Sequence, residues 1–161
     1  MKLKTIFTNA IFAALYVAVS ALIQPFGFTN VQFRISEIFN HLVVFNKKYI
    51  FGVVIGVFFT NLFFSPLLPY DLIFGVGHSL ITLLLLIWAM KFIKGTWTRL
   101  FFNTALFTFT MFIIAFELKL AFGLPFWFGW LTTAAGEFVV MLIGAPIMYM
   151  LNKRLRFEER V

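Results

Sequence analysis

Cysteine is absent from the 161 residues, which excludes disulfides, thiolate metal sites and cysteine nucleophiles. Charge is scarce: Asp, Glu, Lys and Arg make up 12% of the chain, against about a quarter in a soluble domain. Acidic residues are scarcer still, six in all. No phosphate-binding loop of the G-x-x-x-x-G-K-[ST] type is present, so ATP hydrolysis by this chain is not expected. Neither Gly-x-Ser-x-Gly nor His-Glu-x-x-His occurs, and no enzymatic activity is expected. His78 and Ser79 are adjacent, but neighbours on a helix point about 100° apart and make a poor base–nucleophile pair. No metal site, catalytic residue or cofactor is expected.

What fills the chain is apolar. Hydrophobic residues reach 62%, Phe alone accounts for 25 positions, and mean hydropathy is +0.99. A transmembrane helix needs about 20 apolar residues. The chain is therefore read as one integral membrane domain over residues 1–161, with no nucleic-acid role for its net charge of +7. Charge-free runs span 5–33, 49–70, 72–90, 100–116, 120–136 and 138–152. They are continuous rather than alternating, which disfavours a β-barrel.

Eleven of the thirteen Lys and Arg fall in four clusters: Lys2 and Lys4; Lys47 and Lys48; Lys91, Lys94 and Arg99; Lys153, Arg154, Arg156 and Arg160. The positive-inside rule puts all four in the cytoplasm, which requires an even number of spans between them. Six transmembrane helices satisfy this, near 6–23, 35–45, 48–64, 70–93, 99–121 and 126–151, with both termini cytoplasmic. Gly and Pro mark the turns between them. Lys2, Lys4 and the following apolar run could imitate a signal peptide. The run is long, and cleavage would break the charge parity, so it is read as the first span.

Gln32-Phe33-Arg34-Ile35-Ser36-Glu37 opens the second helix. This stretch resembles the QueT family of substrate-binding (S) components of energy-coupling factor (ECF) transporters. Length, six helices, cytoplasmic termini and an Ala-rich first helix extend the resemblance over essentially the whole chain. It implies an S-component-like all-α fold in the plasma membrane and uptake of a queuosine precursor, a 7-deazaguanine. It also implies a transmembrane T component and two cytoplasmic ATPases as partners. Alternatives are an S component for another vitamin or nucleobase and, more remotely, a small intramembrane enzyme.

The residues themselves point to a pocket. A charged side chain within the membrane costs about 2.5–3.5 kcal/mol on insertion scales and is usually functional or paired. Glu37, Asp71, Glu117 and Glu137 fall in helices or their outer halves, with Arg34, His41 and His78. Glu137 stands between charge-free runs of 17 and 15 residues. Helical spacing places Arg34, Glu37 and His41 on one face, Asp71, Gly75 and His78 on a second, and Trp130, Thr133 and Glu137 on a third. A carboxylate can accept the ring N–H and exocyclic amine of a deazaguanine. Arg34, Asn61, Gln32 or a protonated His could donate to its carbonyl. Trp127, Trp130, Phe126 and Phe128 could stack on its face. Glu37 ranks first, then Glu137, Arg34, Asn61, Asp71, His78 and Glu117. Pro25 and Gly27 suit a mobile lid over the site. Ala10, Ala14 and Ala18 form a small-residue stripe that lets another helix approach; the family resemblance makes it the T-component docking face.

Overall fold

The computed structural model describes residues 2–23 and 33–161. Among these the regular structure is helical, with no strand. Helix α1 spans Leu3–Leu22, α2 the short segment Ile35–Phe45, α3 Ile50–Phe64 and α4 Tyr70–Ala89. Helices α5 (Thr96–Thr110) and α6 (Phe112–Phe122) follow, then α7 (Phe126–Leu155) and a terminal turn, α8 (Phe157–Arg160). With α5 and α6 taken as one rod and α3 counted from Lys47, five helices are long and apolar enough to cross a membrane. Their outer surface is apolar too. Phe7, Phe51, Phe63, Phe92 and Phe109 all project outward, which gives much of the phenylalanine a place against lipid.

Two elements differ from the sequence expectation. The second helix is too short to span alone, and its first seven residues, Ile35–His41, are wound as a 3₁₀ helix. At about 2.0 Å per residue there and 1.5 Å beyond, it advances roughly 20 Å, against a core of about 30 Å. The fifth expected helix is broken at Met111. The hydroxyls of Thr108 and Thr110 donate back to the carbonyls of Thr104 and Leu106, at 2.8 and 2.9 Å. The Trp130 indole N–H donates to the Phe109 carbonyl at 3.1 Å. Back-bonding hydroxyls and an inserted donor both bend helices.

Helix α1 packs most extensively on α3. Gly52 and Gly56 make the contact possible: a Cβ on either would lie 2.7 Å from atoms of Asn9 or Tyr16. Asn9 Oδ1 also accepts the Gly52 N–H at 2.7 Å, a donor that a helix's first turn leaves unused. The buried stripe of α1 is thus Thr5, Asn9, Ala13, Tyr16 and Ser20. Its alanines at 10, 14 and 18 face outward.

The main core, including Leu42, Tyr49, Leu83, Leu86, Leu100, Met141, Met148 and Phe157, fills one half of the bundle. That half ends where the termini meet. Lys4 Nζ donates to the Glu159 carbonyl at 2.8 Å, and Asn46 Nδ2 to that of Glu158 at 3.1 Å. Trp97 stacks against Tyr149, with ring centroids 4.5 Å apart. The basic clusters near residues 4, 47, 97 and 153 therefore share one end of the bundle.

Candidate functional site

The buried acids lie toward the opposite end, around Arg34. Burying charge in a protein interior costs several kcal/mol per ion unless partners compensate, so the partners of each group decide what the cluster is.

Arg34 stands just before α2 and is 8% exposed. Its Nη2 donates to Asp71 Oδ1 at 3.2 Å. Asp71 occupies the first turn of α4, where the helix dipole favours a carboxylate. Ser65 Oγ donates to its other oxygen and accepts the Leu67 N–H at 2.9 Å. Asn61 Nδ2 donates to the Asp71 carbonyl at 2.8 Å. Gly75 leaves the room for this, since a Cβ there would lie 2.5 Å from Asn61 Nδ2. Asn61, Ser65 and Asp71 thus lock the α3–α4 hairpin and hold out a carboxylate for Arg34.

Glu37 is 4% exposed and accepts from Tyr16 Oη at 2.7 Å and from Asn40 Nδ2. The 3₁₀ winding explains Asn40. At three residues per turn Arg34, Glu37 and Asn40 eclipse one another. His41 is then rotated about 120° from Arg34, where α-helical spacing would leave it within about 20°. The expected Arg34–Glu37–His41 face is therefore corrected to Arg34–Glu37–Asn40. His41 is fully buried and points away. Its Nε2 bonds the Met141 carbonyl at 2.9 Å and its Nδ1 the Asn103 amide at 3.1 Å. A carbonyl partner makes Nε2 the donor and leaves Nδ1 to accept. Both ring nitrogens are satisfied, and the ring pins α2 to α5 and α7.

Two acids are held differently. Glu117 on α6 is 0% exposed, and neither carboxylate oxygen has a hydrogen-bond partner among the described residues. Asp71 and Arg34 lie within its electrostatic reach. Glu137 on α7 is 2% exposed and has one oxygen without such a partner. Its charged neighbours are Glu37 and Arg34. Asn61 Oδ1 and Asn40 Oδ1 are likewise buried without a donor among the described residues. His78 lies beneath this group with Arg34 in electrostatic reach, its Nε2 3.0 Å from Thr110 Oγ1. Thr82 Oγ1 donates to the same hydroxyl at 2.9 Å. Thr110 uses its own proton on a backbone carbonyl, so His78 Nε2 is the donor.

The structure thus gathers Arg34, Glu37, Asn61, Asp71, His78, Glu117 and Glu137 from four helices and the start of α2. Asp71 pairs with the Arg34 guanidinium, Glu37, Glu117 and Glu137 lie within its electrostatic reach, and three oxygens of Glu117 and Glu137 have no hydrogen-bond partner among the described residues. Such a cluster suits a ligand rich in N–H donors or carrying positive charge. Among the described residues no three His, Asp or Glu side chains converge as metal ligands would.

Trp130 and Trp127 lie elsewhere, in an aromatic cluster with Phe109, Phe112 and Phe126. Trp127 is 68% exposed. Trp130 stands two helical turns from Glu137 on the same face of α7, about 10 Å along the axis. Gln32 and the Pro25–Gly27 lid lie outside the described residues.

Sequence reasoning missed Tyr16, Asn40 and Ser65. Tyr16 carried a signal: Thr5, Asn9, Tyr16 and Ser20 form a polar stripe on α1 at helical spacing. Asn40 carried none, because the 3₁₀ register is not readable from spacing alone. Ser65 lies in a turn.

Residues 6–153 match the family model described as QueT transporter. A curated relative from Lactococcus lactis subsp. cremoris, named queuosine precursor transporter QueT, is 40% identical over 159 residues, covering 93% of each chain. No solved structure matches. Both names describe transporters rather than enzymes, and the apolar helices fit a multi-pass membrane protein. By the reach of the family model and the identity to that relative, this chain belongs to the QueT transporter family.

Proposed function

We propose that the chain is the membrane-embedded substrate-binding subunit of an ECF-type importer and captures a queuosine precursor. The observation that carries this reading is the buried cluster around Arg34, in which Glu117 and Glu137 keep acceptor atoms without a hydrogen-bond partner among the described residues. A 7-deazaguanine presents a ring N–H and an exocyclic amine side by side to one carboxylate. An aminomethyl group at its 7-position adds a cation, which a second carboxylate would meet. Glu37 and Glu137 are the leading candidates for these two roles, with Arg34 and Asn61 facing the base carbonyl. His78 and Glu117 are further candidates, as are Trp127 and Trp130 from the neighbouring aromatic cluster and Gln32, which lies outside the described residues. The relative's name supports the substrate class.

The basic end faces the cytoplasm in this reading, so the acidic cluster lies toward the outside. Residues 1–161 act as one domain. Energy comes from a T component and two cytoplasmic ATPases, and the subunit topples on the T component to release its substrate inside. The docking face is Ala10, Ala14 and Ala18. These side chains are exposed and line an apolar groove of about 540 Å³ with Ile55, Phe59 and Phe63.

A thermal-shift panel of 7-deazaguanines, guanine and unrelated vitamins tests the reading. Stabilisation by deazaguanines, weakened in Glu37→Gln, is expected. A response to another vitamin alone would keep the fold and discard the substrate.

A further inference from the structure

The basic end of the bundle holds a second organised cluster. Four successive backbone carbonyls of α8 are each caught by a side chain from another part of the chain. Tyr49 Oη donates to Phe157 at 3.0 Å, Asn46 Nδ2 to Glu158 at 3.1 Å, Lys4 Nζ to Glu159 at 2.8 Å and Thr8 Oγ1 to Arg160 at 3.1 Å. Phe157 anchors the turn in a box of Phe12, Phe45 and Tyr49. The tail is thus a fixed wall. Between it and α7 lies a polar pocket of about 450 Å³ lined by Lys4, Arg154, Leu155, Arg156, Glu159 and Arg160. Four cations face one carboxylate there.

Arg154 also ends an apolar groove of about 240 Å³, running along α7 over Ile147, Met150 and Leu151. These residues share one helix face for about 10 Å. Arg156 adopts a left-handed backbone, φ 49° and ψ 61°, at the end of α7. Glycine is the usual residue in that place. The exposed Arg156 guanidinium lies 3.8 Å from Glu159 and lines the basic pocket.

We propose that this end of the bundle binds one anionic phospholipid, its phosphate in the basic pocket and one acyl chain along the α7 groove. Arginines pair with phosphate bidentately. The four cations select a net negative head group over a zwitterionic one. The apolar groove, which shares Arg154 with the pocket, selects a lipid over a free anion.

The test is native mass spectrometry of the detergent-purified full chain with phosphatidylglycerol or phosphatidylcholine of the same acyl chains. Thermal shift with either lipid or with inorganic phosphate runs beside it. One phosphatidylglycerol retained per chain is expected, with phosphatidylcholine lost at lower activation. Arg154→Gln should weaken retention about fivefold, the share of one basic residue near an anionic surface. Arg156→Gly should also lower retention while keeping or raising lipid-free stability, because it relieves the left-handed backbone as it removes the guanidinium. Equal retention of the two lipids, or retention unchanged in both variants, would overturn the proposal. Inorganic phosphate that stabilises as strongly as phosphatidylglycerol and displaces it would also overturn it, by reassigning the pocket to a free anion.

Discussion

Glu137 and Asp71 are both buried acids near Arg34, yet they should respond oppositely to loss of charge. Asp71 accepts from Arg34 and Ser65. Glu137 keeps one oxygen without a partner among the described residues. Asp71→Asn removes half of a buried ion pair and leaves the guanidinium beside a neutral amide. Breaking such a pair costs about 3–5 kcal/mol. Glu137→Gln replaces a buried acid that has acidic Glu37 for a neighbour. Its effect on the unliganded protein should lie within about 1 kcal/mol of zero, and on the stabilising side. Binding should reverse the order. A ligand N–H on Glu137 forms a charge-assisted hydrogen bond of roughly 1.5–3 kcal/mol, so Glu137→Gln should weaken affinity about 10- to 150-fold. The assay is thermal unfolding in detergent without ligand, paired with calorimetric titration of 7-aminomethyl-7-deazaguanine. A Glu137→Gln protein that unfolds as early as Asp71→Asn and binds ligand like the wild type would refute the reasoning and make Glu137 a structural group.

Other substitutions test other parts of the account. Tyr16→Phe removes a donor from Glu37 and should weaken ligand binding by roughly 1–2 kcal/mol with little change in fold, read by the same titration. His41→Ala orphans Asn103 and opens a cavity in the core, so stability should fall by about 2–4 kcal/mol while ligand affinity in the surviving folded protein holds. Gly56→Val would push into Tyr16, and a loss of about 1–3 kcal/mol is expected in chemical denaturation. Ala14→Trp fills the outward groove, so substrate binding should persist while uptake by the assembled transporter is abolished; retained uptake would place docking elsewhere.

Much of the architecture was legible because lipid imposes simple rules. Charge-free runs were read as six spans, of which five are long enough to cross and the short segment 35–45 is not, and clustered Lys and Arg marked the end where the termini meet. The acids were legible for the same reason, since carboxylates in apolar helices are too costly to be incidental. Their partners were harder to read. Assuming a 3.6-residue period across 34–41 put His41 beside Glu37, whereas a three-residue turn put Asn40 there. The alanine stripe of α1 drew attention to the helix's outer face, while the inner face, with Asn9 and Tyr16, did the packing and reached the acids. The break at Met111 depends on threonine back-bonding and on an indole from α7, contacts that no local pattern encodes. The tryptophans were found as an aromatic group, but their distance from the acids follows from how α6 and α7 pair.

The central claim is that an excess of carboxylate over guanidinium selects a cationic deazaguanine. The most direct measurement is the affinity of the purified chain for 7-aminomethyl-7-deazaguanine beside that for its neutral nitrile analogue. Tighter binding of the amine by at least tenfold, about 1.4 kcal/mol, is expected, with a narrowing of that gap in Glu137→Gln. Equal affinity for the two, or preference for the nitrile unchanged by Glu137→Gln, would contradict it.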